Sequence, residues 1–119
     1  MYDMEFFIGK VFSSVYYDKE KETIVFIDST DGKRYFMLHI QDCCEDVYIE
    51  SIVGELKDLE NTPIIGAEES SNCGNNRDGS YTWTFYKFRT AKGYVDIRWY
   101  GTSNGYYSES VSIEEKEQY

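Results

Sequence analysis

Five residues near the middle of the chain, His39, Asp42, Cys43, Cys44 and Glu45, are of types that can hold a metal ion. Imidazole, thiolate and carboxylate are all competent zinc ligands. Their spacing works against a shared ion. On an extended segment His39, Gln41 and Cys43 point to one face, and Asp42 and Cys44 to the other. There is no C-x-x-C pair, and adjacent cysteines chelate one ion poorly. His39 and Cys43 stay as the metal-ligand candidates, with Cys73 able to join only if its polar segment folds back. The favoured alternative is that the cysteines are small apolar residues buried at a strand end.

The same residues could serve thiol chemistry, with Cys43 or Cys44 as nucleophile and His39 as base. A nucleophilic cysteine needs its thiolate. Asp42, Glu45, Asp46 and Glu50 surround this one and would keep it protonated. Glu55-Leu56-Lys57, with Asp46 upstream, matches an E-x-K nuclease fragment, but it falls on a segment with helical spacing. Glu68 and Glu69 are adjacent, so on a strand they diverge and make no acid–base pair. No catalytic residue and no cofactor is assigned, and a non-enzymatic protein is expected. A metal-dependent enzyme using His39 and Cys43 is the alternative.

A second kind of chemistry is concentrated toward the end. Residues 81–107 hold ten of the 21 aromatics, interleaved with Lys87, Arg89 and Arg98. Tyr, Trp and Arg are enriched in binding hot spots. The expected partner-binding face carries Tyr81, Trp83, Phe85, Lys87, Arg89, Tyr94, Arg98 and Tyr100. The competing expectation is that a helix or the N-terminal segment covers this face and makes it a second core. Rings that stack on bases beside cations would also suit a nucleotide.

These residues must be held by strands. Residues 11–18 alternate, and 19–22 form a turn. Runs 23–28 and 33–41 flank Asp31-Gly32, a hairpin pattern. A two-residue turn there pairs Ile27 with Phe36 and Phe26 with Met37. A turn at Lys92-Gly93 pairs Phe88 with Ile97, Tyr86 with Trp99 and Arg89 with Asp96. A three-residue turn ending at a left-handed Gly105 then pairs Ile97 with Val111 and Val95 with Ile113. Ile49, Ile52, Val53, Leu56 and Leu59 follow a helical spacing, so a helix is expected within 45–60, stopped by Pro63. Gly54 weakens that helix by about 1 kcal/mol relative to alanine. A short strand over VYIES, with the helix capped by Ser51, is the alternative. Residues 64–69 read as a short strand, 70–80 as a flexible Gly/Asn loop, and 114–119 as a frayed acidic tail.

The expected fold is α+β: one domain over 1–119, a twisted antiparallel sheet of six or seven strands with one helix packed on one face. That face is Tyr86, Phe88, Val95, Ile97 and Trp99.

With 119 residues the chain can bury a full core. Its net charge of −10 is uneven. Residues 41–80 carry ten acids and two bases, whereas 81–119 carry five of each. The expected acidic surface is Asp42, Glu45, Asp46, Glu50, Glu55, Asp58, Glu60, Glu68 and Glu69. Such charge opposes phosphates and anionic lipid, so direct nucleic-acid binding and membrane binding are not expected. The start MYDMEFFIGK has no basic region followed by an apolar run, and no apolar run approaches a membrane span. A cytoplasmic protein is expected, since an odd count of three cysteines, two of them adjacent, is not a secreted disulfide framework.

Two stretches, one starting at His39 and one at Trp83, resemble a small uncharacterised domain family common in phage and prophage proteins. The QDCCE box (Gln41 to Glu45) and the WYGTSNGYYSE box (Trp99 to Glu109) carry the resemblance. It implies a viral or prophage origin and no catalytic residues. The expected function is a small acidic protein that binds and inhibits a host protein, such as a defence or nucleic-acid-processing enzyme, in the host cytoplasm. The acidic segment 42–69 could act there as a mimic of a phosphate backbone. The alternative partner is a second copy, and the alternative ligand is a nucleotide signal trapped among Tyr81, Trp83, Arg89 and Arg98.

Overall fold

Period-two alternation runs through most of the chain, and it builds strands almost throughout. The computed structural model describes residues 2–77 and 79–116. In chain order the strands are β1 (Phe12–Asp18), β2 (Thr23–Asp28), β3 (Arg34–Leu38), β4 (Asp46–Val53), β5 (Gly66–Asn76), β6 (Gly79–Thr90), β7 (Gly93–Ser103) and β8 (Ser112–Lys116). They form two antiparallel four-stranded sheets. Sheet A has the order β1-β2-β3-β8 and sheet B the order β4-β7-β6-β5.

The inner faces pack on each other as a sandwich. Phe12, Val15, Ile24, Phe26, Tyr35 and Met37 of sheet A meet Tyr86, Phe88, Val95, Ile97 and Trp99 of sheet B in one core. Phe26 and Phe88 have ring centroids 5.7 Å apart. The indole N–H of Trp99 donates to Met37 Sδ at 3.4 Å, tying one sheet to the other. The N-terminal segment forms a 3-10 turn, Met4–Phe7, capped by Asp3. It inserts Phe7 between the sheets, 5.1 Å from Phe26 and 5.2 Å from Phe88. It therefore does not cover the outer face of sheet B.

The α+β expectation is overturned. Among the described residues the only helical elements are two four-residue 3-10 turns, Met4–Phe7 and Leu56–Leu59. Residues 45–60 form β4, a turn and the second 3-10 element. The physical reason is a bulge: β4 pairs Ile49 with Trp99 and Ser51 with Arg98, leaving Glu50 as the extra residue. The bulge resets the alternation, so Val47, Ile49 and Ile52 all pack toward the core. Strand spacing of two followed by a bulge spacing of three imitates a helical stripe. The predicted core face is buried as expected, with Tyr86, Phe88, Val95, Ile97 and Trp99 each at most 1% exposed, but a second sheet covers it and not a helix.

Other registers shift. Around Asp31-Gly32 the loop has four residues, with Asp28 N–H bonded to Lys33 O, and Phe26 pairs with Tyr35. The second hairpin turns at Ala91-Lys92, so Phe88 pairs with Val95, Tyr86 with Ile97, and Lys87 faces Asp96. Both shifts are by two residues, which preserves which side chains share a face. The expected pairing of Val111 and Ile113 with β7 does not occur. Gly105 has positive φ, at 92°, but it lies in a loop that carries the chain across to sheet A. There Ile113 pairs with Met37. β4 occupies the β7 edge instead. Residues 114–116 of the expected tail belong to β8, and 117–119 lie outside the described residues.

The expected loop 70–80 is mostly strand. β5 and β6 pair continuously from Gly66↔Arg89 to Asn76↔Gly79, with residue 78 outside the described residues. β5 is an edge strand, largely exposed over its length, so it needs no apolar alternation. That is why composition alone did not mark it.

Candidate functional site

Strand alternation on β6 and β7 sends one set of side chains into the core and the other outward. The outward set is the predicted face. Tyr81, Trp83, Phe85 and Tyr100 are half-buried there, while Lys87, Arg89, Tyr94 and Arg98 are exposed. Cross-strand pairing places Trp83 beside Tyr100, with ring centroids 4.4 Å apart. Trp83 and Phe85 are nearly parallel, at 14° and 6.4 Å. The Arg98 guanidinium lies 5.4 Å from the Trp83 ring centre, and its Nε donates to Glu50 at 2.5 Å. That hydrogen bond holds the Glu50 carboxyl below its ordinary range. Tyr48 extends the row from β4, with its ring 6.0 Å from Tyr100. Sequence reasoning missed Tyr48 because it fell in the expected helix; the alternation of Val47 and Ile49 around it was the available indication.

Toward the turn the face becomes polar. Lys87 sits between Glu68 of β5 and Asp96 of β7. The Arg89 side chain lies across Gly66, where an added Cβ would come within 3.3 Å of it. Lys87, Arg89 and Arg98 are thus matched in number by Glu50, Glu68 and Asp96, and the face is close to neutral within an acidic chain.

The nine predicted acidic-surface residues do not form one surface. Asp46 and Glu50 lie on β4, while Glu68 and Glu69 lie on β5 at the opposite edge of sheet B. Asp42 and Glu55 are exposed. Asp58 and Glu60 are half-buried, and Glu60 accepts from the Val15 N–H at 2.9 Å. Glu45 is buried, at 4% exposure.

Glu45 organises the first of the two boxes. Its carboxylate accepts from the backbone N–H of Asp42 at 2.8 Å and of Cys43 at 2.9 Å. His39 Nε2 lies 2.8 Å from its Oε2, and His39 Nδ1 lies 2.7 Å from Ser110 O. Both ring nitrogens of His39 therefore face acceptors within the protein. Cys43 and Cys44 are bonded to each other and exposed, so the expectation of buried cysteines fails: Glu45, not a thiol, fills the interior here. Cys73 is free and exposed. His39 and Cys43 are thus engaged elsewhere, and no group of three potential ligands occurs among the described residues.

The two boxes meet. Their flanks pair, with His39 bonded to Ser110 and Asp46 opposite Thr102, and Gly101 of the second box lies so close to Val47 that an added Cβ would come within 3.1 Å of it. Between the boxes is a cavity of about 380 Å³ lined by residues that include Cys44, Ser103, Asn104 and Tyr107.

A family model described as a domain of unknown function, DUF7448, matches residues 5–113. The chain belongs to this family. No curated protein and no solved structure matches it. The DUF7448 match runs from the 3-10 turn into β8, so both sheets and both boxes lie within it. No helix among the described residues of this DUF7448 domain is long and apolar enough to cross a membrane.

The Glu45 cluster predicts acid sensitivity. Burial pushes this carboxyl up, but the N–H groups of Cys43 and Asp42 and the His39 ring outweigh it and hold it at about 2, against an ordinary 4.5. A carboxyl depressed on folding adds stability that is full above its unfolded pKa and is lost as pH falls toward the folded value. Melting temperature is expected to fall between about pH 5 and pH 2. Glu45→Gln should flatten that part of the profile; an unchanged slope in thermal melts would contradict the assignment.

Proposed function

We propose that this domain is a non-enzymatic binding protein whose recognition surface is the outer face of sheet B. In this proposal it is phage-encoded and works in the host cytoplasm, occupying and inhibiting a host protein. The observation that carries the binding surface is the half-buried, outward-facing row Tyr48, Tyr100, Trp83 and Phe85, held in place by the Arg98–Glu50 pair. A sheet needs one apolar face for its core, and sheet B already has it. A second face whose rings form an ordered row, with most of its charges gathered toward the turn and Arg98 paired to Glu50, has the composition of an interface centre. The phage origin rests on the resemblance of the two boxes alone. Because the acids are divided between opposite edges of sheet B, the aromatic face is a better docking surface than a mimic of a phosphate backbone.

The test is affinity capture from a bacterial host lysate with the wild type, a Trp83→Ala/Tyr100→Ala variant and Tyr16→Ala on sheet A. A partner is expected with the wild type and Tyr16→Ala and not with the double variant. Truncating a hot-spot ring costs about 2 kcal/mol or more of binding. Recovery of the same proteins by all three would sink the proposal. Nucleotide capture on the same rings is the second reading, supported by the near-parallel Trp83 and Phe85 beside Arg98. Trp99 is buried, so quenching by added nucleotide would report Trp83.

A further inference from the structure

Glu109, at the end of the second box, is 8% exposed. Its Oε2 accepts from Ser80 Oγ and Ser103 Oγ at 2.5 Å each, and its Oε1 accepts from Thr82 Oγ1 at 2.8 Å. Among the described residues no lysine, arginine or histidine is paired with it. Burial pushes the carboxyl up, but the hydroxyls of Ser103, Ser80 and Thr82 outweigh burial and hold it below its ordinary range. A buried anion held only by neutral donors has no counter-charge, which is a costly arrangement.

The hydroxyls add a second property. Each has one proton. With those protons committed to Glu109, the three oxygens can only accept from anything else. Ser80 Oγ and Ser103 Oγ lie 3.1 Å apart, and both residues line the 380 Å³ cavity. A second cavity, of about 290 Å³, shares Ser80 and Tyr107 with the first and is lined also by Glu109 itself, Thr82 and Asn75. Oε1 takes one hydrogen bond among the described residues and keeps a lone pair. Register puts Asn75 opposite Ser80 and Cys73 opposite Thr82. This wall is therefore the core-side face of sheet B, carried by the β5–β6 hairpin. Asn75 and Cys73 are exposed, so sheet A does not close over it.

We propose that this cavity seats an organic cation, a primary ammonium or guanidinium group, with Glu109 as its counter-charge and Tyr107 as its aromatic wall. The site is anionic, presents acceptors, and has room for a side-chain-sized group beside a ring that favours cations. The net charge of −10 draws such groups toward the molecule. The site is distinct from the outer face of sheet B and stands or falls independently of it. The cation has two sources: a free polyamine, or a lysine or arginine side chain of a protein partner.

Calorimetric titration of the whole chain with spermidine, and separately with an arginine-rich peptide, tests the proposal. Saturable binding of at least one is expected, weakened about tenfold by Glu109→Gln and by Tyr107→Ala and unchanged by the surface control Glu20→Gln in the β1–β2 turn. Tyr107→Ala touches none of the three hydroxyls, so it keeps the test open if circular dichroism shows Glu109→Gln unfolded. Tighter peptide binding identifies a side chain as the cation, and equal or tighter spermidine binding identifies a free amine. No saturable binding of either, or binding unchanged by Tyr107→Ala, overturns the site.

Discussion

Replacing Trp99 by alanine is expected to lower the unfolding free energy by about 3–5 kcal/mol. Trp99 is 1% exposed and sits on the inner face of β7, between Ile49 of β4 and Thr84 of β6. Its N–H reaches Met37 of sheet A. Truncation therefore opens a cavity where the sheets meet and removes a direct tie between them. A domain of this size is stable by about 5–15 kcal/mol, so the variant approaches the edge of folding. Urea denaturation measures the effect as a lower midpoint with an unchanged slope. Trp83→Ala is the internal comparison, since its ring is half-buried on the outer face. It should cost about 1 kcal/mol or less. Equal losses for the two tryptophans would mean that the sheets do not share a core through Trp99.

Gly54→Ala is expected to destabilise the protein by about 2–4 kcal/mol. Gly54 follows β4 with φ of +95°, in the left-handed region. An added Cβ would lie 2.3 Å from the backbone oxygen of Tyr94. Backbone cannot move aside as a side-chain tip can, so strain and overpacking add. The sign separates two architectures. Were 45–60 a helix, the same substitution would stabilise it by about 1 kcal/mol, because alanine is the better helix former. A gain in midpoint would restore the helix and dismantle the sandwich; a loss supports the turn after a bulged strand.

Residues 45–60 also show where legibility ended. Of the expected stripe Ile49, Ile52, Leu56 and Leu59 pack inward, but Val53 is exposed, Val47 takes an inward place the stripe did not include, and the period is not helical. A bulge at Glu50, a glycine turn and a 3-10 turn together displaced strand spacing into the spacing of a helix. The local pattern allows a helix or the alternative strand over VYIES; the partner strand β7 decides between them by pairing with both sides of the bulge. β5 failed for the opposite reason. Its Gly, Ser and Asn residues have little strand propensity, and only β6, already rich in strand formers, makes the edge extended. At the candidate site, the members on β6 and β7 were legible because alternation assigns faces without any knowledge of register. Tyr48 and the Arg98–Glu50 pair were not, since both depend on β4. Glu45 read as a surface acid and Glu109 only as the end of a box, because burial of a charge depends on how its donors are brought together: Ser80, Thr82 and Ser103 for Glu109, and His39 with the Asp42 and Cys43 N–H groups for Glu45.

The aromatic strands, the inward and outward sets on β6 and β7, and the uneven charge were determined by the sequence itself. Each follows from side-chain alternation or composition, which need no distant partner. Tertiary structure decided the second sheet, the neighbour of β7, the crossing of β8 to sheet A, the dispersal of the acids and the meeting of the two boxes. These rest on pairings between segments tens of residues apart, and among several edges of similar local propensity only the packing of a shared core selects one.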